Sequence, residues 1–135
     1  MISKKENKKQ GCPAPSLEEG WGGVTHFTLE EFTRSETAER LGIDNTPSEA
    51  VVEHLRRLCV LVLEPLRQHF GHPIRINSGY RCPALNRAVG GVRNSRHLTG
   101  DAADIPMKPG YLAYIRDHLP HKELINEGTW IHVSI

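Results

Sequence analysis

SRHLTGDAAD, residues 95–104, places a histidine, His97, seven positions before an aspartate, Asp104. Gly100 and two alanines between them let the backbone turn and pack closely. Residues 102–105, closed by Pro106, read as a strand. Asp104 is then a carboxylate in an apolar strand, and it needs a partner. An imidazole nitrogen and a carboxylate oxygen are ordinary ligands for a borderline cation such as zinc. Asp101, beside Gly100, is a local competitor that reads as a turn residue and that spacing alone does not remove. Further on, WIHVSI, residues 130–135, offers His132 in a strand-like run. Alternation puts Trp130, His132 and Ser134 on one face of that strand and Ile131 and Val133 on the other. Two His and one Asp, with a fourth position left to water, is the composition of a catalytic rather than a structural zinc site.

The chain upstream reads as scaffold. Thr28 and Glu31 form a capping box, so a helix opens there with Leu29 and Phe32 facing the core. Residues 35–41 read as a second short helix, ended by Gly42. Thr46-Pro47-Ser48-Glu49 starts the longest helix, with Pro at its first position. Val51, Val52, Leu55, Leu58, Cys59, Val62 and Leu66 give it an apolar stripe. Pro65 is expected to kink this helix by removing a backbone donor. Residues 73–77 read as a short strand, and 84–89 as a helix closed by Gly90-Gly91. Residues 110–119 carry helical spacing, and 123–126 and 130–135 complete the strands. The expected fold class is α+β, a small antiparallel sheet packed with helices.

The sequence has 135 residues, which implies one domain. Residues 1–23 are expected to be a disordered tail, lysine-rich and then Pro- and Gly-rich, ahead of a domain at 24–135. A net charge of +1 gives no global field for nucleic acid or an anionic membrane. Three cysteines without CxxC spacing argue against a disulfide framework and fit a reducing compartment. The basic N-terminus has no apolar run behind it, so no signal peptide is recognised and synthesis in the cytoplasm is expected. A monomer is expected. The other six histidines carry no ligand pattern.

The segment SGYRCPALNRAVGGVRNSRHLTGDAADI, with the later WIHVS, resembles a family of zinc peptidases: the D-alanyl-D-alanine carboxypeptidases and L-alanyl-D-glutamate endopeptidases that cut peptidoglycan. The family pattern is S-x-H-x-x-G-x-A-x-D followed by W-x-H. Ser95, His97, Gly100, Ala102 and Asp104 meet the first part, and Trp130 and His132 the second. The resemblance covers the chain from about residue 26 onward and is closest to the compact carboxypeptidase-type domain of phages and bacteria.

It implies a hedgehog/DD-peptidase-like fold and one zinc per chain, held by His97, Asp104 and His132. It also implies a glutamate base near the last ligand. Many members carry that Glu three residues before the His, where this chain has Thr129. Glu127 is the substitute and Glu123 the less favoured alternative. Arg81, in SGYR, is implied as a substrate-orienting or oxyanion-stabilising group, with Tyr80 and Ser95 lining the site. The implied substrates are peptidoglycan stem peptides, cut in the cell wall or periplasm, as by a phage endolysin. The alternative is a non-catalytic wall-binding or virion module of the same fold.

Overall fold

Residues 21–135 are described by the computed structural model, and the expected disorder of the first 20 residues lies outside them. The capping box forms as read. The Thr28 N–H and hydroxyl both donate to Glu31 Oε2, at 2.8 and 3.2 Å, and start helix α1, Leu29–Thr33. Ser35 caps α2, Glu36–Leu41, and Gly42 ends it in the left-handed region. Helix α3, Glu49–Leu58, is capped by Ser48, whose Oγ accepts from the Val51 N–H at 3.2 Å. Pro47 therefore precedes the cap and is not the first helical residue. A serine oxygen satisfies an otherwise unpaired N–H, which proline in the first turn does not.

The helical run continues past Pro65. A π-helical stretch, Cys59–Leu63, joins α3 to α4, Glu64–Phe70. The Glu64 N–H reaches Cys59 O, five residues back. Proline has no N–H and its ring crowds the carbonyl four residues earlier. The wider turn just before Pro65 accommodates it, so the expected kink takes the form of a π stretch. Leu55, Leu58, Cys59, Val62, Leu63 and Leu66 along this run are fully buried and form the centre of the core. Burial pushes the Cys59 thiol pKa up, which fits a packed apolar side chain rather than a nucleophile.

The packed region reaches back before the expected boundary at residue 24. Trp21 is buried and meets Phe32 edge-on at 6.0 Å. The neighbouring Gly22 carbonyl accepts from Arg56 at 2.8 Å. Beside this corner Glu64 is buried and accepts from the Thr25 N–H at 2.8 Å, the His26 N–H at 2.7 Å and His26 Nδ1 at 2.7 Å.

Helix α5, Pro83–Ala88, and a 3₁₀ turn, Arg96–Thr99, lead into strand β1, Ala102–Pro106. Helix α6, Tyr111–His118, then leads to β2, Glu123–Asn126, and β3, Trp130–Ser134. The three strands form an antiparallel sheet in the order β1-β3-β2. Asp104 pairs with His132, Ile125 with His132, and Glu123 with Ser134. The fold class is α+β, as the sequence implies.

Residues 73–77 do not form the expected strand. The chain meets β1 only around Asp104, where Asn77 N–H donates to Asp104 O and Asp104 N–H to Ser78 O, both at 2.8 Å. It is then drawn off the sheet, because the Tyr80 N–H donates to Phe32 O at 2.7 Å.

Candidate metal centre

His97 comes from the 3₁₀ turn, and its backbone is fixed by its sequence neighbour. Ser95 Oγ caps the turn and accepts from the His97 N–H at 3.1 Å. The left-handed Gly100 ends the turn, where a Cβ would lie 2.9 Å from both Val51 Cγ1 and Val51 O. A four-residue turn therefore sits directly on α3 and buries the His97 ring.

The ring has one free edge. Nδ1 lies 2.6 Å from Gly79 O and donates to it, since a carbonyl only accepts. That hydrogen bond assigns the proton to Nδ1 and leaves a lone pair on Nε2. Nε2 points at Asp104 Oδ1, 3.1 Å away. Gly79 is required at this point, because a Cβ there would fall 2.6 Å from Phe32 O.

His132 reaches the same oxygen from β3. Its Nδ1 is 3.1 Å from Asp104 Oδ1, and its Nε2 is 2.8 Å from Glu123 Oε1. With both rings neutral and both outer nitrogens donating, the inner nitrogens and the Asp104 oxygen turn three lone pairs toward one point. Such a set repels itself unless positive charge stands there. Protonation of His132 is one source, and its pKa is raised, first by the hydrogen bond to Asp104 and then by Glu123, against burial. Burial works to raise the Asp104 pKa, but its close contacts with the His132 and His97 rings outweigh this and hold the carboxyl at about 2. A cation is the other source. The ligand atoms of His97, Asp104 and His132 all lie within 4.8 Å of one another, and the donor types suit zinc. Asp101 is engaged elsewhere, accepting from Thr99 Oγ1 at 2.6 Å.

Arg81 borders the centre. Its backbone N–H donates to His97 O at 3.0 Å. Its Nε is buried with no hydrogen-bond partner among the described residues. Burial holds its pKa below the ordinary value, while the charge on Asp104 acts in the opposite direction. A cavity of about 450 Å³ holds His97, Asp104 and His132 together with Arg81, Glu123 and Glu127. A second, of about 630 Å³, shares Arg81 and Asp104 with it and extends past Tyr80 toward Arg34 and Arg75. Tyr80 lines only this second arm and Ser95 only the first, where the Ser95 hydroxyl is already used on the His97 backbone.

Glu127 sits at the end of β2, its N–H donating to Trp130 O at 2.9 Å, and it lines the cavity. Of the two glutamates, Glu123 is the one whose carboxylate contacts His132. Glu123 and Ile125 alternate onto the His132 side of β2, a signal that becomes readable once the strand register is known. Buried Asn45 was also missed by sequence reasoning. It donates to Thr33 O and Tyr80 O at 2.9 and 3.0 Å and accepts from the Cys82 N–H at 2.8 Å, clamping the Arg81 segment on both sides.

Comparison with known proteins gives two findings. A 44-residue stretch, 32% of this chain, is 46% identical to the zinc D-Ala-D-Ala carboxypeptidase of Streptomyces albus G. That match spans 17% of the relative's length. A sequence model of peptidase M15 matches residues 25–134, which include the capped helices, the 3₁₀ turn and all three strands. The chain belongs to the peptidase M15 family.

Proposed function

We propose that this chain is a zinc peptidase acting on the stem peptides of peptidoglycan, on a scaffold like that of the DD-peptidases and hedgehog domains. The observation that carries the reading is the convergence of the His97, Asp104 and His132 lone pairs beside Arg81 in an open cavity. His97, Asp104 and His132 would hold one zinc ion. Bound zinc supplies Lewis-acid polarisation of the scissile carbonyl and activates water for attack.

The protein residues do the rest. Glu127, on the same cavity wall, accepts the proton of the attacking water and returns it to the leaving amine. Arg81 offers a partly desolvated guanidinium to the developing oxyanion or to a substrate carboxylate. Tyr80 and Ser95 line the two arms along which a peptide can extend on either side of the cut. The bond is L-Ala-D-Glu or D-Ala-D-Ala, and cleavage at the first, which severs the stem peptide, would make the role at the cell wall lytic.

The test is mass spectrometry of muropeptides incubated with the protein, with and without a chelator. Cleavage at one of those two peptide bonds, lost with chelator and restored by zinc, is the expected result. Wall binding with no new fragment would make the chain a binding module. Glu127→Gln should keep zinc content while kcat falls roughly 10²-fold or more.

A further inference from the structure

We infer that Glu123 is a positioning residue, which sets the proton on His132 and turns the Nδ1 of that ring toward Asp104. The inference rests on the zinc-site reading above, and it concerns only how His132 is made ready as a ligand. Three observations carry it. Glu123 Oε1 lies 2.8 Å from His132 Nε2, and Nε2 is the ring nitrogen that does not face Asp104. A carboxylate can only accept there, so Nε2 keeps the proton and Nδ1 the lone pair. The contact is built by the sheet: Ile125 stands opposite His132 and Glu123 opposite Ser134, so Glu123 approaches His132 along the diagonal on one face. Its backbone is pinned at that point, since the Glu123 N–H donates to Ser134 Oγ at 3.1 Å.

The two histidines are thus prepared by different partners. Gly79, a backbone carbonyl, fixes the tautomer of His97 from one side, and Glu123, a carboxylate, fixes that of His132 from the other. A carboxylate behind a ligating imidazole orients the ring and makes it a stronger base toward a metal. The arrangement also separates the two glutamates. Glu123 is engaged on the edge of the His132 ring away from Asp104, which leaves Glu127 for proton transfer.

The test uses the full chain and has readouts that do not depend on turnover. Nitrogen NMR of the zinc-loaded native chain should show His132 protonated at Nε2 and unprotonated at Nδ1, without any substitution. The opposite tautomer would overturn the inference even if every variant failed to fold. Zinc affinity, from competition with a chromogenic chelator, should weaken about 10- to 100-fold in Glu123→Ala. Glu123→Gln, whose amide oxygen can still accept from Nε2, should recover part of the affinity lost in Glu123→Ala and retain turnover. Native affinity in Glu123→Ala would overturn the proposal. Loss of zinc in Glu123→Gln would make Glu123 a ligand instead. Zinc kept but turnover lost in Glu123→Gln would make it the base. If the native chain binds zinc as described but cuts no stem peptide, the functional reading fails while this one stands.

Discussion

Gly79 has no room for even a methyl group. A Cβ there would lie 2.6 Å from Phe32 O and 2.7 Å from Phe32 Cα, and the carbonyl of the same residue holds His97 Nδ1. Gly79→Ala should cost about 1–3 kcal/mol by overpacking. It should also lower zinc content, which separates it from an ordinary core defect; thermal unfolding and elemental analysis check the two effects. Glu64 offers a second prediction at this scale. Burial acts to raise its pKa, but hydrogen bonds from His26 and Thr25 outweigh this and leave it below the ordinary carboxylate value. A carboxyl with a lowered folded pKa contributes stability above its unfolded pKa. That contribution is lost as pH falls through the folded value. Glu64→Gln should therefore be less stable than the native chain at neutral pH, with the gap closing toward acid. Denaturant midpoints measured from pH 7 downward would show it. The His26–Glu64 pair was illegible in the sequence because 38 residues separate its members, and a lone histidine carries no mark of its partner. Donor types and strand alternation made His97, Asp104 and His132 candidates, the motif resemblance grouped them, and the structure brings their ligand atoms within 4.8 Å of one another. Glu123 was not legible as a neighbour of His132, since its reach to His132 depends on which residues face each other across two strands.

Elements show the same division. The capped start of α1 was readable, because a cap is a contact between near neighbours in sequence, whereas that of α3 was read too early, with Pro47 inside the helix instead of ahead of the Ser48 cap. Residues 73–77 have strand composition yet form no strand, and pairing with β1 is limited to the isolated bridge of Ser78 with Asp104, because a distant contact to Phe32 takes over after Ser78. The π stretch before Pro65 was legible as a disturbance but not as a geometry. The junction of the 3₁₀ turn with α3 supports an element-scale prediction. Gly100 has φ of +81°, and a Cβ there would meet both the side chain and the backbone of Val51. Gly100→Ala should lose about 2–4 kcal/mol from left-handed strain plus overpacking. Adding Val51→Ala removes the side-chain clash but not the one with the carbonyl. Only partial recovery is expected in chemical denaturation.

For the whole molecule, a cation that binds only the folded arrangement must stabilise it by mass action. Zinc at about a hundredfold excess over its Kd adds about 2.7 kcal/mol, which raises the melting midpoint on the order of 10 °C. Calorimetry with and without a chelator should show that shift, and His132→Ala should abolish it. The core itself was broadly legible from the apolar stripe of α3 onward. Its edge was not, because Trp21 lies in a Pro- and Gly-rich stretch and reaches the core only by meeting Phe32 across the chain. Asp104 and His132 stand opposite each other on adjacent strands. Their separation is therefore a rung of the backbone ladder, set by peptide geometry that is common to all antiparallel pairs. The cavity walls come instead from turns and short helices, such as the Gly90-Gly91 turn and the end of β2. Such segments can change length and side chains freely as long as the ladder keeps step. Selectivity for a particular peptide can thus drift while the chemistry stays in place. A single-residue slip in β3 would do the reverse, sending His132 into the core and silencing every variant of the walls at once.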